Sequence, residues 1–440
     1  MSASPTSLTI RMYNVGFGDC FLLSFKYANR SRHVLVDYGS TSAPKSTPKH
    51  GPKKYPTSYM SVVAEDIKRV CAGKLDAVVA THRHRDHVSG FSSDTGTGQV
   101  IATLSPGCVI QPWTEDPRAK ASALSATSSI YTRGRPDHRK MTAHFLGALE
   151  DIHRAAESIQ QLADRSDLAG SQTLEQLKFL GQDNVKNPSA VRNLLHMGQK
   201  SRAYYVNAGM RLNFLPGVRC TVLGPPALRQ SDAIRNQRTR DPGEFWQFRS
   251  FWASQSRGLT RSTAFAKRRS VSKATAHGIP PPSVRWFVNQ ARQVHADQML
   301  GLVRDLDDVM NNTSVILLLE AGRRKILLPG DAQIENWAYA LSKPKWRRLL
   351  SDVNVYKVGH HGSRNATPKS LWDLFHRTGV VGKADRLETL CSTKSGKHGS
   401  ARSGTEVPRR TLVADLRSRS TFTSTEELKD EFCYITDLAL

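Results

Sequence analysis

The chain predicts a layered protein of mixed α and β structure, and three observations carry that prediction. The first eighty residues read strand, strand, strand, helix, strand, an order that stacks helices against a sheet. A second set of apolar strands and short helices follows residue 310. Three of the predicted strands, near 75–80, 325–329 and 353–359, run directly into histidine or aspartate.

Residues 7–26 read as two strands around the glycine-rich turn NVGFGDC, and HVLVDYGS (33–40) reads as a third strand ending in a loop. Residues 41–58 are rich in Pro, Lys and Ser and predict loop. In 58–73, Val62, Val63, Ile67 and Val70 recur at helical spacing. The run LDAVVA predicts a strand at about 75–80, and a short strand is expected over 108–113. Residues 114–140 are polar and predict irregular chain; 141–165 predict a long amphipathic helix, and 189–198 a second helix stopped by glycine. Residues 203–226 read as strands and turns.

The pattern breaks over 227–300, which is basic and Ser-rich, then Pro-rich. This reads as an exposed insertion, serving either as a nucleic-acid contact or as a solvated loop. Trp246, Trp252 and Trp286 beside it suit partial packing on the domain. Strands at 314–320 and 325–329 flank the turn AGRR. IENWAYALSK predicts a helix, 353–363 a strand running into a histidine pair, and PKSLWDLFHRTG another helix. The expected organisation is a domain over 1–383 that includes the insertion. A polar linker and C-terminal extension follow over 384–440, able to pack back through a last strand in EFCYITDL. No internal repeat is found.

Composition narrows the function classes. No stretch approaches 18 consecutive apolar residues, so a membrane span is not expected, and MSASPTSLTIRMYNVG lacks the regions of a signal peptide. The six cysteines are scattered singly with no CxxC pair, which argues against a disulfide scaffold and for a cytoplasmic setting. The formal net charge is +25. A surplus of that size favours polyanionic partners, DNA or RNA among them.

The chemistry concentrates in THRHRDHVSG (81–90). His82 and His84 are two apart, so in extended chain both point the same way and can share one ion. Asp86 and His87 follow in the turn and can reach a second ion. Imidazole and carboxylate are ligands that zinc accepts, and two ions a few ångströms apart can hold a hydroxide between them. Asp331 ends KILLPGD and is read as a bridging ligand rather than a helix cap. His360 and His361 close NVYKVG; His360 is read as the ligand, and His361 as the group that donates a proton or orients the leaving group. Asp86 is a second catalytic candidate, orienting the hydroxide. Asp37 either supports the metal loop or caps a turn. Asp19 either joins the site or closes a hairpin, and Ser363 and Asn365 either bind a substrate oxygen or form the turn.

THRHRDHVSG, with LLPGD and VGHHGS downstream, resembles the metallo-β-lactamase fold superfamily. The nearer resemblance is to the soluble nuclease-like domain of the ComEC/Rec2 competence proteins. It is carried in order by Asn14–Cys20, Val34–Gly39, Thr81–Gly90, Asn312–Ser314, Gly330–Asp331 and His360–Ser363. The resemblance implies an α+β four-layer αβ/βα sandwich, here with a basic insertion. It implies zinc, one or two ions, with manganese as the alternative. His82, His84 and a further mid-chain histidine would hold the first ion, Asp86, His87 and His360 the second, and Asp331 would bridge. The mid-chain candidates His144, His153 and His196 all lie in predicted helices, and none follows a convincing strand. The expected function is a metal-dependent hydrolase, a phosphodiesterase or nuclease. The alternatives are a metallohydrolase of a small phosphoester, lactone or amide, and a non-catalytic nucleic-acid-binding protein.

Overall fold

A computed structural model describes residues 4–45, 58–119, 125–126, 187–227, 230–231, 311–363, 367–383, 385–397, 406–428 and 431–440. The predicted helix at 141–165, nearly all of the 227–300 insertion, Asn365, His144 and His153 lie outside the described residues.

In chain order the strands are β1 (Ser7–Tyr13), β2 (Cys20–Lys26), β3 (Ser31–Tyr38), β4 (Ala77–Val79), β5 (Val109–Pro112), β6 (Ala203–Val206), β7 (Arg211–Leu212), β8 (Val218–Gly224), β9 (Ile316–Ala321), β10 (Arg324–Leu328), β11 (Val355–Lys357), β12 (Glu388–Cys391), β13 (Thr421–Ser424) and β14 (Cys433–Ala439). The helices are α1 (Tyr59–Val70), α2 (Arg85–Val88), α3 (Thr97–Thr103), α4 (Pro188–Lys200), α5 (Ile334–Leu341), α6 (Pro344–Leu350), α7 (Lys369–Trp372) and α8 (Arg410–Arg419).

The strands form two sheets, ordered β14-β1-β2-β3-β4-β5-β6 and β13-β12-β11-β10-β9-β8-β7. Each is antiparallel at one side and parallel at the other. β14, β1, β2 and β3 pair antiparallel, then β3 through β6 run parallel. In the second sheet β7 through β10 pair antiparallel, then β10 through β13 run parallel.

Three apolar cores follow from the alternation of side chains along these strands. One lies between the sheets and takes Leu23, Val34, Val36 and Val79 from the first and Val222, Leu317, Ile326 and Val355 from the second. Leu22, Leu35 and Val78 point the other way and meet α1, α3 and α4. Leu318, Leu327 and Tyr356 likewise meet α5, α7 and α8. The result is an αβ/βα sandwich of the metallo-β-lactamase type, as the resemblance implied. Each fully buried Leu or Val in these layers contributes about 1.5–3 kcal/mol.

Local sequence explains the helix that covers the site's neighbours. Ser58 caps α1, its Oγ accepting from Ser61 N–H at 3.2 Å. Lys68 and Arg69 sit in the last turn, where they oppose the negative end of the helix dipole. Val62, Val63 and Ile67 form its buried face.

Two expectations differ from the structure. Gly198 does not stop the second mid-chain helix, and α4 runs on to Lys200. A Cβ there would stand 3.0 Å from the Ala203 side chain, so the glycine serves close packing against β6. The stretch read as a polar linker supplies β12, β13 and α8 to one half, while β14 lies in EFCYITDL, where a last strand was expected, and pairs with β1 of the other. All six cysteines are free; five are buried and Cys433 is half-buried.

Candidate metal centre

The parallel strands of both sheets end at one edge of the sandwich, and their following loops meet there. That edge is where open α/β sheets place ligands. β3 leads to Asp37, β4 to Thr81–His87, β10 to Asp331, β11 to His361 and β12 to Ser392. Asp19 arrives at the same edge because β2 starts there, antiparallel to β3.

Glycines let the loops close on one another. Gly39 has no room for a Cβ, which would fall 2.5 Å from the Asp86 carbonyl carbon and the His87 nitrogen. Gly330 adopts φ +56°, and a Cβ there would fall 2.7 Å from the Thr81 side chain. Backbone bonds then lock the loops: Asp19 N–H donates to Asp86 O at 2.8 Å, Gly39 N–H to Asp19 O at 3.0 Å, and Val315 N–H to Thr81 O at 2.9 Å. Asp331 N–H donates to Ser314 Oγ at 3.2 Å.

Asp86, His87, Asp331 and His361 each offer one ligand atom, and these atoms all lie within 4.8 Å of one another. A second set with the same property is Asp19, Asp37 and His87. His87 belongs to both through different nitrogens. Its Nε2 lies 3.0 Å from Asp331 Oδ2, while its Nδ1 bonds to Asp37 Oδ2 at 2.8 Å. His87 Nε2 is buried and makes no hydrogen bond, so the two atoms stand close without donor–acceptor alignment, as ligands converging on an ion do. The first set, with two imidazoles and two carboxylates, therefore fits a divalent cation.

Hydrogen bonds fix which nitrogen each ring presents. A carbonyl can only accept, so His361 Nδ1 donates to Ser392 O at 2.9 Å and Nε2 faces Asp86 Oδ2 at 2.9 Å. Asp37 accepts from His87 Nδ1, which turns the Nε2 lone pair inward. Asp37 also accepts from Thr81 N–H and Oγ1–H, both at 2.8 Å. Thr81 Oγ1 in turn contacts His82 Nδ1 at 3.2 Å, and His82 Nε2 lies 2.9 Å from His84 Nδ1. One buried carboxylate thus orients two rings of the motif, which is the supporting reading of Asp37; it holds φ +55° to do so.

The electrostatics divide the histidines. Burial, then the neighbouring rings of His87 and His84, drive His82 far below the usual imidazole range. Burial pushes His84 down to about 4. Both rings are neutral at pH 7 and keep a lone pair for a metal. Burial would also depress His87 and His361, but the surrounding carboxylates, Asp331 foremost, more than offset it and raise both. For Asp86 and Asp331 burial acts upward, and His87 foremost overrides it, holding both well below the usual carboxylate range.

The structure brings together His82, His84, Asp86, His87, Asp331, His361, Asp37 and Asp19. It does not bring the His360 ring into the converging sets. His360, His361 and Gly362 take φ +43°, +51° and +84° in succession, and this curl turns the second histidine inward. His361 is fully buried, 4.4 Å from the Phe17 ring between centroids. His360 contributes its backbone N–H to Asp331 Oδ1 at 3.0 Å instead. Ser363 closes the turn through its N–H to His360 O at 2.8 Å. His196 is exposed on α4.

Sequence reasoning missed Lys357. It lies on β11, 3% exposed, ion-paired with Asp19 and 3.4 Å from Asp331 Oδ1. It also donates to Gly330 O at 3.1 Å. The signal was a lysine inside the apolar run VNVYKVG, where a charge survives only if paired.

No family model matches the chain. A stretch of 61 residues is 34% identical to Recombination protein 2 of Haemophilus influenzae, covering 14% of this chain and 7% of that protein. The match thus spans only a small part of that relative's length. Among solved structures, a mutant of the CmlA beta-hydroxylase aligns over 98% of this chain and 54% of its own, at 10% identity and a TM-score of 0.33. Among the described residues no helix is long and apolar enough to cross a membrane.

Proposed function

We propose that the chain is a metal-dependent phosphodiesterase that hydrolyses nucleic acid. The observation that carries this reading is the convergence of Asp86, His87, Asp331 and His361 at one edge of the sandwich. These four residues would hold the ion, either zinc or manganese. His82 and His84, neutral and adjacent, extend the centre toward a second. A bound divalent cation supplies Lewis acidity at the phosphoryl oxygens and hydroxide at neutral pH.

The protein's own groups do the rest. Asp37 keeps the His87 lone pair aimed inward. Asp86, bonded to His361 and anionic, accepts a hydrogen bond from the attacking water and aims its oxygen at phosphorus. The attacking water gives up its proton to solvent, the P–O ester bond breaks, and the departing oxygen takes a proton from solvent, leaving a phosphomonoester and an alcohol. Of the two adjacent histidines, His361 takes the ligand role expected of His360, which instead holds Asp331 Oδ1 through its backbone N–H. Two observations support a nucleic-acid substrate, the net charge of +25 and the short likeness to a protein named for recombination. The reading includes membership of the ComEC/Rec2-like branch and a cytoplasmic location.

The test incubates chelator-treated protein with Zn²⁺ or Mn²⁺ and labelled single- and double-stranded DNA and RNA, with bis-p-nitrophenyl phosphate alongside. Cleavage of a nucleic acid is expected. Hydrolysis of the small ester alone would move the assignment to small phosphoesters. Binding of nucleic acid without turnover, unchanged in His84→Ala, would leave a non-catalytic binding protein.

A further inference from the structure

Four carboxylates, Asp19, Asp37, Asp86 and Asp331, lie close together at this edge, and three are at most 1% exposed. Such a concentration of buried negative charge is costly unless paired. Hydrogen bonds from Thr81 and His87 satisfy Asp37. Asp19 has a different partner, the Lys357 ammonium. The same ammonium lies beside Asp331 Oδ1, which also accepts from His360 N–H. Asp331 Oδ2 faces His87 Nε2 at 3.0 Å and His361 Nε2 at 3.6 Å.

This arrangement separates the two converging sets. In the Asp19–Asp37–His87 set, Lys357 is ion-paired with Asp19 Oδ2, and His87 Nδ1 and Thr81 bond to Asp37, while Asp19 Oδ1 makes no hydrogen bond. The Asp86–His87–Asp331–His361 set keeps His87 Nε2 without a hydrogen bond. We propose that Lys357 is a resident counter-cation of the centre: paired with Asp19, it fills the support set, leaves Asp331 Oδ2 as the oxygen offered to the ion, and keeps the pocket folded when no ion is bound. The proposal rests on the reading that the centre binds a divalent cation. Lys357 is a positioning residue, acting through Asp19 and Asp331.

Removing the ammonium takes from Asp19 its nearest cation and leaves it only His87 Nδ1 at 3.5 Å and His361 Nδ1 at 3.8 Å, a loss that a bound ion then partly relieves. The full chain is stripped with chelator, and thermal unfolding is followed with and without Mn²⁺ or Zn²⁺. Lys357→Met should lower the metal-free midpoint by about 5–10 °C. The rise on adding metal should be larger than in the wild type. Lys357→Met with Asp19→Asn restores the pocket's net charge and should recover most of the metal-free loss, a rescue that lost packing alone would not give. If Lys357→Met fails to fold, the double variant must still fold. A metal-free midpoint that does not fall, a metal-induced rise no larger than in the wild type, or no rescue by Asp19→Asn would each overturn the counter-cation role. If the wild type itself shows neither a metal-induced rise nor bound metal by mass spectrometry, the metal reading falls and takes this role with it.

Discussion

In the N-terminal half of the sandwich, His82, His84, Asp86 and His87 come from one turn after β4. In the C-terminal half, Asp331, Lys357 and His361 come from the ends of two strands and from within one of them. Both halves place a parallel strand end at the same edge, and their topologies mirror each other. The first half concentrates ligands because one strand–loop junction can aim several side chains inward within a turn. The second half adds single groups, each placed by its own strand. The contrast teaches that a contiguous motif declares a metal site, while its charge balance and last ligands are settled by residues with no local signature.

The largest test of that contrast is Asp331→Ala. It removes a single dispersed residue and leaves the motif intact. It should cut turnover at least about a hundredfold and lower bound metal measured by mass spectrometry. Near-native turnover would mean the contiguous motif suffices alone. Next in size is the comparison of His361→Ala with His360→Ala by calorimetric titration of Mn²⁺ or Zn²⁺. The first should weaken binding by about a hundredfold or more and the second by far less, because only His361 Nε2 lies in the converging set. Equal losses would restore His360 as a ligand.

Asp37→Asn sharpens the comparison within the first half. Asparagine keeps the shape but weakens the grip on His87 Nδ1, and metal affinity should fall about 10–100-fold. An unchanged affinity would mean His87 is held by packing alone.

The smallest effect concerns the edge of the first half remote from the site. His33 on β3 bonds to Ser24 Oγ at 2.9 Å, and burial lowers its pKa. In the unfolded chain this imidazole titrates at about 6.5. Below that pH the unfolded state binds a proton that the folded state refuses, so stability present at neutral pH is lost as pH falls. Urea unfolding at pH 7.5 and pH 5.5 should show a shallower loss in His33→Gln than in the wild type. Identical slopes would remove His33 from the acid response.

Much of the layering was legible because its cause is local. Alternating apolar strands and the spacing of Val62, Val63 and Ile67 require a sheet with a helix against it, whatever the rest of the chain does. The same holds for the histidine motif, whose spacing already commits several side chains to one point. The sequence by itself determined the αβ layers, the edge that carries the chemistry and most residues able to ligate there. Only the tertiary structure decided that His361 and not His360 turns inward, since that depends on three successive left-handed residues held against Asp331 and Ser392. It alone revealed Lys357 as the partner of Asp19, because a charge 338 positions away in the chain becomes a neighbour only when both sheets close on one edge. β12 and β13 were hidden, because each pairs parallel with its neighbour and no turn signal announces it; β14 was legible in EFCYITDL, but its pairing partner β1 lies at the opposite end of the sequence.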